Sequence, residues 1–271
     1  MTARYFTAQH VRELAERLSE QDWLVLKQVS SLRFVSGSQL TRLCFSASDD
    51  PCANARAARR ALLRLTRLGV LARLPRPIGG VRAGSAGFVY RLGLGGHRLA
   101  VLRGWQPERQ RRRSLVPGTL FLRHTLQIAE LHTCLIEGER SGRFELLALA
   151  AEPLCHRTYD GLGGQRVVLK PDSYVRLGLG PYEDSYFIEV DRGTEGSQAL
   201  SWQLERYVAY HLSGREQTER GVFPRVLWLV PSEQRKAALV DSLTRLTAES
   251  WRLFAVAPFA DALTVMTGKA E

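Results

Sequence analysis

The sequence predicts an α+β or α/β chain in two parts: four helices, the last three of them closed by a two-stranded hairpin, then a mixed sheet flanked by helices. Three observations predict it. Apolar residues at helical spacing, each run preceded by a capping residue, fill residues 8–68, and a Gly-broken pair of β-rich runs follows. From residue 119 onward, helix-like and strand-like segments alternate. Charge divides the same way. Residues 1–113 hold 21 Lys and Arg against 7 Asp and Glu, a net of +14, whereas residues 114–271 hold 17 against 20, a net of −3. At 271 residues and 45% hydrophobic, the chain is long enough for two domains with cores of their own.

In the first part, residues 8–18 (AQHVRELAERL) have helical spacing with Thr7 as N-cap. Residues 22–31 form a second helix, with Asp22 near its start. SGSQLTRLCF gives a short third helix opened by Ser38. Asp49, Asp50 and Pro51 punctuate the start of a longer helix, about 51–68. Its Leu62, Leu65 and Leu68 make an apolar stripe, and Gly69 stops it. Val70–Leu74 and Phe88–Leu92 are strands joined by the Gly-rich IGGVRAGSAG, and residues 93–102 add a helical turn or two. This succession is the layout of a winged helix-turn-helix. ALLRLTRLGVLARL resembles the recognition helix and first wing strand of many bacterial winged-helix regulators. Residues 1–103 are accordingly one domain, 104–118 a basic linker and 119–271 the second domain.

The second domain opens with a helix at about 119–140. FELLALAAE, two short pieces around Pro171 in QRVVLKPDSYVRLG, and DSYFIEVDRGTE follow as strands. SQALSWQLERYVAYHLSG is a helix, PRVLWLVP a buried strand, 232–250 a helix capped by Ser232, and FAVAPF a last strand.

The excess of positive charge in the first half points to a polyanion as partner. Arg56, Arg59, Arg60, Arg64 and Arg67 on the long helix, Arg76 and Arg82 around the hairpin turn, and Arg111, Arg112 and Arg113 in the linker are the candidate phosphate contacts. Double-stranded DNA is the expected partner, nicked or single-stranded at an origin in one version; RNA and an anionic membrane surface are weaker options. The basic helix lacks the bulky aromatics of a membrane-surface helix. The four cysteines, Cys44, Cys52, Cys134 and Cys155, have no zinc-site spacing. MTARYFTAQH is not a signal peptide and no apolar run approaches a membrane span, so a cytoplasmic location is expected.

The chemistry-bearing group is Pro171-Asp172 followed by Glu189-x-Asp191. Glu189 and Asp191, at i and i+2, share one face of a strand, and a hairpin-like partner strand opening at Asp172 brings a third acid to the same edge. Three clustered carboxylates require a cation or a basic side chain. Oxygen ligands of this kind suit Mg²⁺ or Mn²⁺, which can activate water against a scissile phosphate. A salt bridge from Lys170, Arg192 or Arg206 is the structural alternative. His124 and His132 read as partly buried helix residues. Tyr207 and Tyr210, at i and i+3, read as packing residues rather than nucleophiles.

KPDSYVRL, FIEVDRGTE and the helix carrying ERYVAYH resemble the PD-(D/E)xK nuclease superfamily, and within it the replication-relaxation family of plasmid and mobile-element proteins. The resemblance implies a winged helix joined to a restriction-endonuclease-like domain. It implies metal ligation by Asp172 and Glu189, with Glu130 as the extra acid many such nucleases use. Asp191 stands where the pattern has Lys, and Lys170 is a candidate substitute. The implied function is that of a relaxase-like DNA nickase for plasmid mobilisation, conjugation or replication, binding an origin-like site and using a divalent metal. The alternative is a non-catalytic DNA-binding accessory or transcriptional regulator whose nuclease-like domain is degenerate. A homodimer is left open.

Overall fold

In a computed structural model of the protein, residues 6–74, 87–105, 117–161, 163–193 and 196–268 are described. Their contacts divide the chain into two units, Met1–Thr133 and Cys134–Glu271. The chain is α+β, with a mixed five-stranded sheet flanked by helices.

The N-terminal unit runs α1 (Ala8–Glu16), α2 (Glu20–Leu32), β1 (Val35–Ser36), α3 (Gly37–Cys44), α4 (Pro51–Arg67), β2 (Leu71–Arg73), β3 (Val89–Leu92) and α5 (Leu94–Leu102), and then the first part of α6 (Thr119–Arg140). Each early helix starts at a side-chain cap. Thr7 accepts from the His10 amide on α1. Ser19 and Asp22 form a capping box on α2, and Ser36 and Gln39 form one on α3. Ser36, not Ser38, therefore opens α3: the reciprocal bond needs an acceptor three residues on, and Gln39 supplies it. Asp50 caps α4 with Pro51 at its first position.

α4 buries Ala58, Leu62 and Leu65, and it packs on α3 and β2. It ends where Gly69 takes φ +72°, which lets the Val70 amide reach back to the Leu65 carbonyl at 3.0 Å. At Gly96, on α5, a Cβ would stand 2.1 Å from the Val70 carbonyl oxygen, so only glycine permits this approach of helix to strand.

The N-terminal sheet has three antiparallel strands in the order β1-β3-β2, with Val35 opposite Tyr90 and Leu71 opposite Leu92. The hairpin foreseen from sequence thus gains β1, two residues too short to show a period-two pattern. Between α2 and β1, Arg33 has φ 67° and the Phe34 amide donates to the Leu32 carbonyl at 2.7 Å. This is a γ-turn of the rarer, strained hand. Leu74, Val89 and Leu122 form a small core with Phe34 and Leu126, which ties the start of α6 into this unit.

The C-terminal unit holds the end of α6 and then β4 (Glu145–Ala151), β5 (Arg157–Asp160), β6 (Arg166–Leu169), β7 (Ser173–Leu179), β8 (Tyr182–Val190), α7 (Ser197–Leu212), α8 (Arg215–Arg220), β9 (Arg225–Val230), α9 (Glu233–Leu243), α10 (Ala248–Trp251), β10 (Phe254–Pro258) and α11 (Ala262–Thr267). The sheet order is β10-β9-β8-β7-β4. β4, β7 and β8 pair antiparallel, and β8, β9 and β10 pair parallel. The parallel steps need crossovers, which α7–α8 and α9–α10 provide.

β9 (RVLWLV) is buried from Val226 to Val230, as a central strand covered on both faces should be. The core includes Phe187, Leu200, Leu204, Tyr207, Val226, Trp228 and Phe254. β5 and β6 form a separate hairpin outside this sheet. The segment foreseen as one helix over 232–250 is two, because α9 ends at Leu243 and α10 begins at Ala248.

Candidate functional site

The arginines of α4 do not share one environment. Arg56, Arg59, Arg60 and Arg67 are exposed, opposite the buried Ala58, Leu62 and Leu65. Arg56 stands 3.4 Å from Asp50, both side chains more than half exposed, and the Arg59 Nε donates to its own helix at the Ala55 carbonyl. Arg64 points sideways, and its guanidinium binds the carboxylate of Asp22 on α2. Asp22 is buried, and burial alone would raise its pKa. The hydrogen bonds from Arg64 and Ser19, with the charge of Arg64, overcome that and hold it below its ordinary value. Arg64 is therefore a fold residue even though about half of its side chain is exposed. Arg76, Arg82, Arg111, Arg112 and Arg113 lie outside the described residues.

Glu130 lies on α6 within the N-terminal unit. Its carboxylate accepts from Arg42 and, at 2.9 Å, from the amide of Gln39. The Gln39 amide also donates to the Leu126 carbonyl at 2.9 Å, so the α3 capping residue doubles as a clamp on α6. His132, beside it on the same helix, is buried, and burial pushes its imidazole down to about 3.

The three acids of the C-terminal unit meet at the end of β8. The β7–β8 register sets Ser173 opposite Ile188 and Tyr174 opposite Phe187. The pairing stops at Ser173; Asp172 comes just before it, and its amide donates to the Ile188 carbonyl at 3.1 Å. Asp172 and Glu189 both lie near enough to Tyr207 of α7 for their charges to act on its hydroxyl. Asp172 Oδ2 accepts from the Val190 amide at 2.8 Å, and Glu189 Oε1 accepts from the Tyr207 hydroxyl. Asp191 caps its own turn, taking the Gly193 amide at 2.7 Å, and its carboxylate is clasped by Arg235 of α9 through Nε and, at 3.3 Å, through a terminal nitrogen. Glu189 and Asp191 are both buried.

The sequence model of the replication-relaxation family matches residues 26–226. The chain belongs to the replication-relaxation family. Membership points to a role in plasmid or mobile-element replication or relaxation, with DNA involved. No curated protein and no solved structure matches the chain. The matched span of this replication-relaxation protein takes in α4 and all three acids and ends before Arg235.

These placements bear on metal binding. Among the described residues, no group of three or more His, Cys, Asp or Glu side chains is arranged to hold a metal ion. Asp191 gives both oxygens to Arg235, and Glu130 gives its own to Arg42 and Gln39. As arranged, the acids do not fit a three-carboxylate Mg²⁺ or Mn²⁺ centre; Asp172 and Glu189 are the two that converge.

Lys170 is exposed and does not share a strand with Asp172, because β6 and β7 belong to different sheets. Arg206 donates to the Val168 carbonyl, and Arg192 is half-buried. Asp191 is held by Arg235, four residues past the proline that ends β9. Sequence order gives no hint of it, since only the parallel pairing of β8 with β9 brings the start of α9 to Asp191.

Tyr207 is fully buried, and burial together with the neighbouring Glu189 and Asp172 charges raises its phenol well above its ordinary range. Burial and the same two acids push the Cys155 thiol up to about 12, with Arg157 opposing them. Neither group is poised as a nucleophile. Tyr210 likewise donates to the buried Glu216, which also pairs with Arg157 and Arg220. Among the described residues no helix is long and apolar enough to cross a membrane.

Proposed function

We propose that the chain binds double-stranded DNA at an origin-like site of a plasmid or mobile element, through α4 and the adjoining hairpin acting as a winged helix. The observation that carries this reading is the row of exposed arginines, Arg56, Arg59 and Arg60, above a buried apolar face in the half of the chain with net charge +14. The order α2-β1-α3-α4-β2-β3 supports it, since it places α4 where a recognition helix sits. Binding measured against a mixed-sequence duplex over a range of salt tests the reading. Affinity should fall steeply with salt, by a log–log slope near 0.9 per phosphate contact; flat salt dependence contradicts it.

In the C-terminal unit, three strands in meander order followed by α7 and a parallel β9 support a restriction-endonuclease-like reading. The engagement of Asp191 by Arg235 favours a non-catalytic, accessory role for it. A second reading, metal-dependent nicking, is favoured by the gathering of Asp172 and Glu189 around Tyr207 and Cys155. Supercoiled plasmid incubated with Mg²⁺, with Mn²⁺ and with EDTA separates the two. Nicking that needs the metal and is lost in Asp172→Ala or Glu189→Ala supports catalysis. Unchanged plasmid in every condition supports the accessory role.

A further inference from the structure

Helix α7 presents very different residues on its two sides. Leu200, Leu204, Tyr207 and Tyr210 are buried in the C-terminal core, whereas Trp202 is 60% exposed. An indole is among the most valuable side chains to bury, and an exposed one forgoes that stabilisation.

Trp202 is also not a loose surface residue. The guanidinium of Arg206, one turn on, lies 4.6 Å from its ring centroid. That guanidinium donates to the Val168 carbonyl on β6, and the Tyr159 hydroxyl donates to the main-chain carbonyl of Arg206 at 3.5 Å. The β5–β6 hairpin therefore pins the cation against the indole. A fixed planar cation on an exposed aromatic ring is a preformed surface for a planar π-system that carries negative charge nearby.

The same hairpin runs on from Val168 through the exposed Lys170 to Asp172. Four residues of chain reach at most about 14 Å. The guanidinium on the exposed indole is thus held by the same hairpin whose continuation leads to Asp172.

We propose that Trp202 and Arg206 form a stacking platform for an unpaired base of single-stranded DNA. A base in a duplex has both faces covered by its neighbours. Only an unpaired one can lie on the indole face that the Arg206 guanidinium leaves uncovered, and that guanidinium supplies positive charge for the phosphate of the same nucleotide. The proposal rests on the DNA reading above and gives the C-terminal unit a contact to one strand that does not depend on α4.

The test is fluorescence anisotropy of the full chain with a poly-dT oligonucleotide and, separately, with a mixed-sequence duplex, for the parent, Trp202→Ala and Trp202→Phe. The alanine variant should lose about fivefold to a hundredfold in poly-dT affinity, the measured range for removal of one base–aromatic stack. The phenylalanine variant should stay within about threefold of the parent, since a smaller ring still stacks. Duplex affinity should be the same in all three, and melting temperatures should match, because the indole is mostly outside the core.

Equal poly-dT binding by the parent and Trp202→Ala overturns the proposal. So does a parent that binds duplex but not poly-dT. A change of oligomeric state in sedimentation with poly-dT affinity intact also overturns it, and would make the exposed indole a protein interface. Failure of the parent to bind either DNA marks a failure of the DNA reading itself.

Discussion

The outer face of α4 and the acidic end of β8 are both dense in charge, and they treat it in opposite ways. On α4, Arg56, Arg59 and Arg60 stand exposed, with Asp50 3.4 Å from Arg56. At the end of β8, Glu189 and Asp191 are buried, and each is met by a partner from a helix, Tyr207 or Arg235. The contrast recurs inside α4, where Arg64 is turned away from its neighbours and onto the buried Asp22. Charge that serves the fold is paired where it is buried, because an unpaired ion in the interior is costly. Charge left in water costs the fold little, and there it is available to a partner.

The largest effect should come from breaking the pair at the end of β8. Arg235→Ala strands the buried Asp191 and is expected to destabilise the chain by about 3–5 kcal/mol. Urea titration measures it. Adding Asp191→Asn should recover much of the loss; if the double variant is no more stable than the single, the two residues are not coupled.

The next effect depends on pH. His132 is held neutral by burial at about 3, while in the unfolded chain it titrates near 6.5. Between these values the unfolded chain binds the extra proton, so stability is full above about pH 6.5 and declines as the pH falls through that window. From about pH 7 to about pH 5 this group alone should remove on the order of 2 kcal/mol. Thermal melts of the parent and His132→Gln at both pH values read the difference; parallel pH dependence in the two would rule the group out.

The smallest effect should be a gain. Arg33 carries positive φ in a strained γ-turn, and Arg33→Gly should stabilise the chain by about 1 kcal/mol, net of glycine's own entropy cost. A lower melting temperature would show that the contacts of the side chain, including its position over the Phe121 ring, outweigh the strain.

Much of the fold was legible because period and punctuation agree. The 3–4 spacing of Leu62 and Leu65, with Asp50-Pro51 before and Gly69 after, fixes α4 within a residue or two. The apolar run around FIEV and the short LGLGPYED connection fix the β7–β8 pair and bring Asp172 to the end of β8. What escaped has physical reasons. β1 is two residues long and exists only because β3 pairs with it. β5 (RTYD) carries no apolar run to mark it in sequence, and the β5–β6 hairpin has no neighbour in the main sheet. Arg235 and Arg64 are indistinguishable from solvated helix arginines until tertiary structure brings Asp191 and Asp22 to them.

The central proposal is that the arginines of α4 divide into those left to DNA and Arg64, which the buried Asp22 holds for the fold. It is tested most directly by one paired experiment on α4, with duplex binding measured across salt and melting temperature measured alongside. Replacing Arg56, Arg59 and Arg60 by Ala should reduce the salt slope by about three and leave the melting temperature near that of the parent. Arg64→Ala should instead cost about 1–3 kcal/mol of stability through the orphaned Asp22, with little change in slope. A triple variant that binds DNA like the parent, or an Arg64 variant that loses DNA binding without losing stability, would contradict the account.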